Sequence, residues 1–182
     1  MELGKTLYTT NRKAWRSWLL EHHNSEKEIW LVYFKKHSKK KSIPYNDAVE
    51  EALCFGWIDS TVKKIDEESR GQRFTPRREN SLWSEMNKER ARRLIKAGKM
   101  TNAGLAKIKV SLEEKFVVPE DIKKELKQDK LVWKNFRKFS LSYKRIRIGY
   151  LDESRKRPDE FQKRLLYFIK MTKQNKQFGM VQ

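Results

Sequence analysis

The spacing of apolar residues changes in the middle of the chain, and that change marks out the central elements. Between residues 45 and 55 the apolar positions recur with the period of an α-helix: Ala48, Val49, Ala52, Leu53 and Phe55. Pro44 suits the first turn of this helix, and Gly56 suits a left-handed residue just past its end. From 57 to 65 the period falls to two, which predicts a β-strand. A second strand candidate follows at 72–77.

The acidic residues of the predicted helix have a separate place in the pattern. Asp47, Glu50 and Glu51 fall outside the apolar stripe, so we expect them outside the buried face. They lie near the N-terminal part of the helix, where the helix dipole favours negative charge. None of the three is predicted to belong to the core.

The polar segment DEESRG between the two strand candidates predicts a β-hairpin. If the hairpin centres on Glu68, Asp59 lies opposite Arg77 and forms a charge pair on the face that carries Trp57. A slip of one residue in register would place Asp59 and Arg77 on opposite faces of the sheet. The pairing of these two residues is therefore a sharp test of the predicted register.

The other segments predict strands and helices in the first part of the chain and helices alone in the second. The apolar run at 28–36 indicates a central strand covered on both faces. Ser84 suits the N-cap of a further helix. From Pro119 onwards the periodicity is helical throughout. The predicted fold is α+β, with a small antiparallel sheet packed with helices at 1–116 and an all-helical C-terminal segment at 117–182.

The central block resembles a known protein family. Four segments carry the resemblance: ALCFGWIDS at 52–60, FTPR at 74–77, SLWSEMN at 81–87 and the segment from Lys99 to Gly104. They are similar to the YdeI/OmpD-associated proteins, also described as bacteriocin-protection proteins, and the resemblance runs from about Asn11 to the last helix. It implies a YjbR/CyaY-like N-terminal region and a role in stress or bacteriocin protection. The iron role of frataxin-like domains is not implied, because it depends on an acidic ridge and this chain is strongly basic.

Charge is the most unusual property of the composition. The 182 residues carry a formal net charge of +19, which raises encounter rates with nucleic acid, anionic lipid or acidic protein. The single cysteine excludes an intramolecular disulfide. The sequence contains no run of 18 apolar residues, so it predicts no membrane span, and the N-terminus does not resemble a signal peptide. We therefore expect a cytoplasmic protein.

Motifs for catalysis or metal binding are scarce. The chain contains no P-loop, no G-x-G-x-x-G, no G-x-S-x-G and no C-x-x-C motif. Cys54 has apolar neighbours and is expected to be a buried, inert thiol. His22 and His23 come at the end of a predicted helix, where a capping role is expected, and with His37 they show no ligand spacing for zinc. We expect no catalytic residues, no metal and no cofactor.

A candidate binding site is predicted around the hairpin and the helix start that follows it. It combines aromatic rings, a carboxylate, guanidinium groups and a helix N-terminus: Trp57, Asp59, Arg73, Phe74, Arg77, Trp83, Ser84 and Asn87. Such a set suits a small anionic or planar ligand, with arginine as a bidentate clamp and tryptophan as a stacking surface. A structural alternative stays open, in which Asp59 and Arg77 are a cross-strand pair, Ser84 is a helix cap and both tryptophans belong to the core.

These observations support two main functional hypotheses. The first is a non-enzymatic intracellular binding protein of the YdeI/OmpD-associated type, with an unknown small anionic ligand or a protein partner at the hairpin. The second is a nucleic-acid-binding protein that uses its basic helical surface and the loop at 35–41, with affinity that falls as salt rises. A third hypothesis, an enzyme acting on a small anion, lacks a convincing nucleophile or acid–base pair in the sequence.

Overall fold

The structure is a computed structural model that describes residues 3–110 and 112–179. Its elements confirm the predicted α+β fold, because the strands lie in the first half of the chain and helices alone follow. The strands are β1 (Thr6–Leu7), β2 (Ile29–Phe34), β3 (Trp57–Lys64) and β4 (Ser69–Pro76). The helices are α1 (Arg12–His22), α2 (Tyr45–Cys54), α3 (Glu85–Lys96), α4 (Asn102–Ala106), α5 (Glu120–Lys127), α6 (Lys130–Lys138), α7 (Leu141–Asp152) and α8 (Pro158–Lys173). A short 3₁₀ helix occupies Lys36–Ser38.

Two compact units make up the chain, and one of the three boundaries between them falls inside α3. The first unit contains the sheet and comprises Met1–Leu82 and Arg90–Ser111. The second unit is helical and comprises Trp83–Glu89 and Leu112–Gln182. The predicted division into domains at 1–116 and 117–182 stays a prediction.

The sheet of the first unit has four strands in the order β1-β2-β4-β3. β4 is antiparallel to both β2 and β3, whereas β1 is parallel to β2. The sheet is therefore mixed rather than purely antiparallel. The parallel member is only two residues long, Thr6–Leu7, which is too short to give a periodic signal in the sequence.

The hairpin formed by β3 and β4 has a different register from the predicted one. Asp59 faces Phe74, so the predicted pairing of Asp59 with Arg77 is wrong. An irregularity between Asp59 and Val62 shifts the pairing by one further residue, so that Val62 faces Gln72. Because side chains alternate across a strand, these shifts decide which residues of β3 and β4 share a face.

The turn of the hairpin explains the register. The Ile65 N–H donates to the Ser69 carbonyl at 3.1 Å. This bond centres the turn on Glu67 rather than on Glu68. The Asp66 carboxylate then accepts the N–H groups of Glu68 and Ser69 at 2.8 and 2.6 Å. An aspartate that bonds the backbone two residues on is a strong turn former, and here it sets the turn one residue earlier than the sequence pattern predicts.

The core of the first unit lies between the sheet and α1 and α2. Its largest side chains are at most 1 % exposed: Trp15, Trp57 and Phe74. The Trp15 ring meets Phe74 of β4 at 5.5 Å between centroids, and its Nε1–H donates to the Ala48 carbonyl of α2 at 2.9 Å. A buried indole N–H needs such a partner, so Trp15 fixes α1 on both the sheet and α2.

Two glycines control the chain around the end of α2. Gly56 has φ +74°, which confirms the predicted left-handed position after the helix. A Cβ on Gly104 of α4 would stand 2.2 Å from the Cys54 carbonyl oxygen. The Thr101 hydroxyl donates to the same oxygen at 2.7 Å. α4 is therefore held against the end of α2, where β3 begins.

The second unit has its own core. Aromatic and aliphatic side chains from α5 to α8 form one buried cluster: Ile122, Leu126, Val132, Phe136, Phe139, Tyr143, Ile148, Leu151, Leu165 and Phe168. The buried Asn135 amide of α6 donates to the carbonyls of Thr172 and Lys173 on α8 at 3.0 and 3.1 Å. These bonds fix α6 against the last turn of α8. The opposite face of α6 is exposed to solvent.

Candidate functional site

The eight predicted site residues are divided between the two units. Five lie in the first unit: Trp57, Asp59, Arg73, Phe74 and Arg77. Three lie in the second unit: Trp83, Ser84 and Asn87. Ligand binding by this set stays a prediction, and the surroundings of each residue show what it can contribute.

Trp57 and Phe74 belong to the core of the first unit. Trp57 is 1 % exposed, meets Trp18 edge-on and donates its Nε1–H to the His23 carbonyl at 3.1 Å. Phe74 is fully buried against Trp15. Both rings therefore serve packing, and neither offers a stacking surface to a ligand.

Arg73 is occupied by a carboxylate. Its Nε–H donates to Glu28 Oε2 at 2.8 Å, and its terminal nitrogen forms an ion pair with the same carboxylate. Glu28 also accepts the Nε1–H of Trp30 at 3.1 Å. The hydrogen bond from Arg73 lowers the pKa of Glu28 below its ordinary value. Arg73 is thus part of a local ion pair on the sheet.

Ser84 begins α3, as its sequence pattern predicts. Its hydroxyl accepts the Asn87 N–H at 3.3 Å, and its carbonyl accepts the Lys88 N–H at 3.0 Å. This is N-cap geometry. Trp83, Ser84 and Asn87 are all half-buried.

Asp59 has an unexpected partner in the first unit. The hydroxyl of Tyr45, the first residue of α2, donates to Asp59 Oδ2 at 2.6 Å. Both side chains are half-exposed. Burial, followed by this hydrogen bond, raises the pKa of Tyr45 well above its ordinary value, so the hydroxyl keeps its proton at neutral pH.

Two buried guanidinium groups lie in the field of Asp59. Arg77 is 2 % exposed and Arg90 is 4 % exposed. Arg77 donates to the Leu82 carbonyl at 2.5 Å, and Arg90 donates to Asn46 Oδ1 at 2.9 Å. Burial lowers the pKa of both groups, and the negative charge of Asp59 opposes that effect at each. Buried cations of this kind are costly unless negative charge or polar atoms compensate them.

A third buried donor completes the group. Tyr33 of β2 is 7 % exposed, and its hydroxyl has no hydrogen-bond partner within residues 3–110 and 112–179. Burial, with Tyr45 and Asp59 nearby, raises the pKa of Tyr33 well above its ordinary value. The hydroxyl is therefore a protonated donor without an acceptor, which is uncommon in a protein interior. We call Tyr33, Tyr45, Asp59, Arg77 and Arg90 the Asp59 cluster.

Sequence reasoning finds Asp59 and Arg77 but misses three members of the cluster. Tyr33 lies inside an apolar strand, so the sequence pattern counts its ring as a core residue and takes no account of its hydroxyl. Tyr45 follows Pro44 and is taken as a helix start rather than as a hydrogen-bond donor. Arg90 directly precedes the buried Ala91 on α3, and that position on the buried side of an amphipathic helix is the one signal that could have found it.

A second set of buried charges occupies the same unit, and it corrects the expectation for α2. Glu50 and Glu51 are 4 % and 2 % exposed, so the prediction that they lie outside the buried face is wrong. Arg12 pairs with Glu50 at 2.9 Å and also with Glu51, while Arg16 pairs with Glu51 at 2.6 Å. Arg93 is a further partner of Glu50. We call these residues the Glu50–Glu51 network.

The remaining candidate groups for chemistry are occupied or buried. The Nδ1 atoms of His22 and His23 contact carbonyls of their own helix at 2.8 and 2.9 Å, which confirms the capping role. Burial raises the pKa of the Cys54 thiol, which is fully buried. Across the described ranges, no group of three histidine, cysteine, aspartate or glutamate side chains is placed to hold a metal ion.

The described residues contain no helix that is long and apolar enough to cross a membrane. The longest helix, α8, has 16 residues and carries charged side chains along its length. A span of the hydrocarbon core requires about 20 predominantly apolar residues.

Two family models match different parts of the chain. Residues 7–107 match the model of a domain of unknown function (DUF8412), and residues 115–175 match the model described as Bacteriocin-protection, YdeI or OmpD-Associated. The motifs between 52 and 104 that suggest the YdeI/OmpD-associated family thus lie in the DUF8412 match, and a YjbR/CyaY-like N-terminal region is not supported. No curated protein and no solved structure matches the chain significantly. Since the first match spans more than half of the 182 residues, the chain belongs to the DUF8412 family, and its residues 115–175 support the YdeI/OmpD-associated assignment at the family level.

Proposed function

We propose that this protein is a non-enzymatic binding protein and that the Asp59 cluster holds the oxyanion group of a small ligand. A carboxylate and a phosphate share that chemistry. The observation that carries the proposal is the buried Tyr33 hydroxyl, which has no acceptor among the described residues and lies with two buried guanidinium groups in the field of Asp59.

The chemistry of the cluster suits an oxyanion. Arg77 and Arg90 supply charge-assisted donors, which are the strongest hydrogen-bond donors in proteins, and Tyr33 supplies a neutral one. Asp59 compensates part of the positive charge when no ligand is bound. Tyr45 and Asp59 are half-exposed, so they mark the side from which a ligand reaches the buried donors.

Binding fits the cluster better than catalysis. The raised pKa values of Tyr33 and Tyr45 keep both hydroxyls protonated, so neither is a nucleophile at neutral pH. Cys54 of the same unit is buried, and burial raises the pKa of its thiol. A nucleophilic thiol requires a lowered pKa and access to solvent.

The test is calorimetric titration with orthophosphate and with succinate, which separates the two sources of oxyanion. We expect one of them to bind the wild-type protein and Tyr33→Phe to weaken that binding about 10-fold or more, because the variant loses a hydrogen bond to a charged group. Tyr8→Phe is the matched control, since the Tyr8 hydroxyl is exposed and bonds only the Lys41 carbonyl among the described residues, at 2.8 Å. Equal affinities for wild type and Tyr33→Phe would contradict the assignment of the site.

The proposal also includes a biological role, which is more specific than the family assignment. The description of the model matched by residues 115–175 names bacteriocin protection, and we propose such a protective role for a cytoplasmic protein of this type. Cells that express the wild-type protein should survive bacteriocin challenge better than cells that express Tyr33→Phe. Equal survival, with ligand binding lost in the variant, would separate the protective role from the Asp59 cluster.

A further inference from the structure

The exposed face of α6 in the second unit concentrates positive charge around an aromatic ring. Its members recur at i, i+3, i+4, i+7 and i+8, which places them on one side of a helix: Lys130, Trp133, Lys134, Arg137 and Lys138. The other side of α6 carries Val132, Asn135 and Phe136, which are buried. We call the exposed set the Trp133 face.

The Trp133 face is concave and its ring is held in place. The five residues line a surface depression of about 410 Å³. The half-buried Trp133 ring stacks on Phe136 at 5.6 Å between centroids, with an angle of 23° between the rings. The Lys127 ammonium lies 5.4 Å from the Trp133 centroid. One face of the indole is thus supported by Phe136 of the core, Lys127 lies over the ring, and four further cations line the same depression.

The cations of the Trp133 face are not neutralised by the protein. Within the described part of the chain, Lys130, Lys134, Arg137 and Lys138 form no ion pair, and α6 itself contains no acidic residue. The nearest acid in sequence, Asp129, caps α6 through the N–H groups of Leu131 and Val132 and pairs with Lys173 at 2.8 Å.

Lys144 adds a further cation at the edge of the face. Its ammonium donates to the Arg137 carbonyl at 2.8 Å. Burial, and after it the charge of Arg137, lowers the pKa of Lys144 below its ordinary value. Surface cations gathered in this way attract anions and raise their local concentration.

A second depression in the same unit provides a comparison. It has a similar volume, about 390 Å³, and is lined by Arg157, Pro158, Asp159, Glu160 and Lys163. Here two carboxylates accompany the two cations, and no aromatic ring is present. The two depressions thus offer a matched pair that differs in charge balance and in the tryptophan.

We propose that the Trp133 face binds single-stranded nucleic acid, with phosphates on the lysine and arginine side chains and a base stacked on Trp133. Aromatic side chains stack on bases of any sequence, and a basic surface follows the backbone. A single strand is the form that fits, because a duplex hides the faces of its bases. The proposal concerns the second unit and does not depend on the Asp59 cluster.

The first experiment measures the affinity of a fluorescein-labelled 12-nucleotide oligo(dT) across a salt series. The double substitution Lys134→Gln/Arg137→Gln should weaken binding about 10-fold near 100 mM salt. It should also reduce the slope of log K against log salt by about 1.4, because each phosphate contact on a single strand contributes about 0.7. Arg157→Gln/Lys163→Gln removes one lysine and one arginine at the second depression and should change affinity less than 2-fold. Equal losses in both variants would overturn the proposal, as would wild-type protein that does not bind.

The second experiment tests the ring. Trp133→Ala should weaken binding at least 5-fold, since stacking on an aromatic side chain supplies that much per base, whereas Trp133→Phe should retain most of the affinity. Circular dichroism establishes that each variant is folded. Equal affinity of Trp133→Ala and wild type would overturn base stacking, and so would tighter binding to a 12-base-pair duplex.

A third experiment tests membranes as the competing partner, using vesicles with 30 % anionic lipid. A loss of vesicle binding in Lys134→Gln/Arg137→Gln, with oligo(dT) binding intact, would assign the face to membranes instead.

Discussion

The Asp59 cluster and the Trp133 face place positive charge in opposite environments. Arg77 and Arg90 are buried, and Asp59 and hydrogen-bonding partners compensate them. Lys134 and Arg137 of the Trp133 face are exposed and have no ion pair within the described residues. A buried charge must be compensated for the protein to fold, whereas an exposed one is solvated by water at little cost.

This difference separates effects on stability from effects on binding. Substitutions among the buried charges of the first unit should change the free energy of unfolding, because they leave charged or polar groups without partners. Substitutions of the exposed lysine and arginine side chains of the Trp133 face should change it by no more than about 0.5 kcal/mol, whatever they do to a ligand.

The largest expected effect is the loss of a buried carboxylate. Glu51→Ala removes one of the partners of Arg12 and the carboxylate partner of Arg16 and should lower the free energy of unfolding by about 3 kcal/mol. That value is the lower end for broken buried ion pairs, because both arginines keep part of their hydration. Urea denaturation followed by tryptophan fluorescence measures it. Glu67→Ala is the control. Glu67 forms an ion pair with Lys64 but is exposed, so its loss should have little effect on the free energy of unfolding. If Glu51→Ala lowers the free energy of unfolding as little as the control does, the Glu50–Glu51 network contributes no more to stability than an exposed ion pair.

A smaller effect is expected on acidification. Although burial alone would raise the pKa of Glu50, Arg93 and Arg12 outweigh it and lower that pKa below its ordinary value near 4.5. The folded state therefore binds the proton less readily than the unfolded state. The stability that Glu50 contributes is present above pH 4.5 and is lost as the pH falls through its lowered pKa. Urea denaturation between pH 6 and pH 3 should show a weaker pH dependence in Glu50→Gln than in wild type. Parallel curves would mean that other carboxylates cause the acid sensitivity.

The sequence predicts the helices and strands better than it predicts which of their charged side chains are buried. The α2 helix, the hairpin and the α3 start are visible because periodicity, Gly56 and Ser84 are local signals. Glu50 and Glu51 are misplaced because an amphipathic pattern counts a carboxylate as exposed. Their burial depends on Arg12, Arg16 and Arg93, which are distant in sequence. Long-range pairing of this kind leaves no local pattern.

The candidate site shows the same limit. Trp57 and Phe74 are expected at a binding site on chemistry alone, but the structure uses them to fill the core. The register of the hairpin decides what Asp59 meets, and that register depends on the turn at Asp66 rather than on the strands. The contact of Tyr45 with Asp59 requires α2 and β3 to pack together. The sequence therefore points to the region around the hairpin, while the tertiary structure decides which side chains meet there.

The smallest of these effects, and the one that distinguishes the two regions best, concerns the Tyr33 hydroxyl. A buried hydroxyl without a partner costs about 1 kcal/mol or more, so its removal in Tyr33→Phe should raise the free energy of unfolding by about that amount in the absence of ligand. The same variant should bind the oxyanion more weakly, so stability and binding should move in opposite directions. Lys134→Gln/Arg137→Gln should leave stability unchanged while it weakens oligo(dT) binding. Urea denaturation with and without the better of the two oxyanions measures both quantities. If Tyr33→Phe instead destabilises the ligand-free protein, the hydroxyl has a structural acceptor and is not a free donor for a ligand.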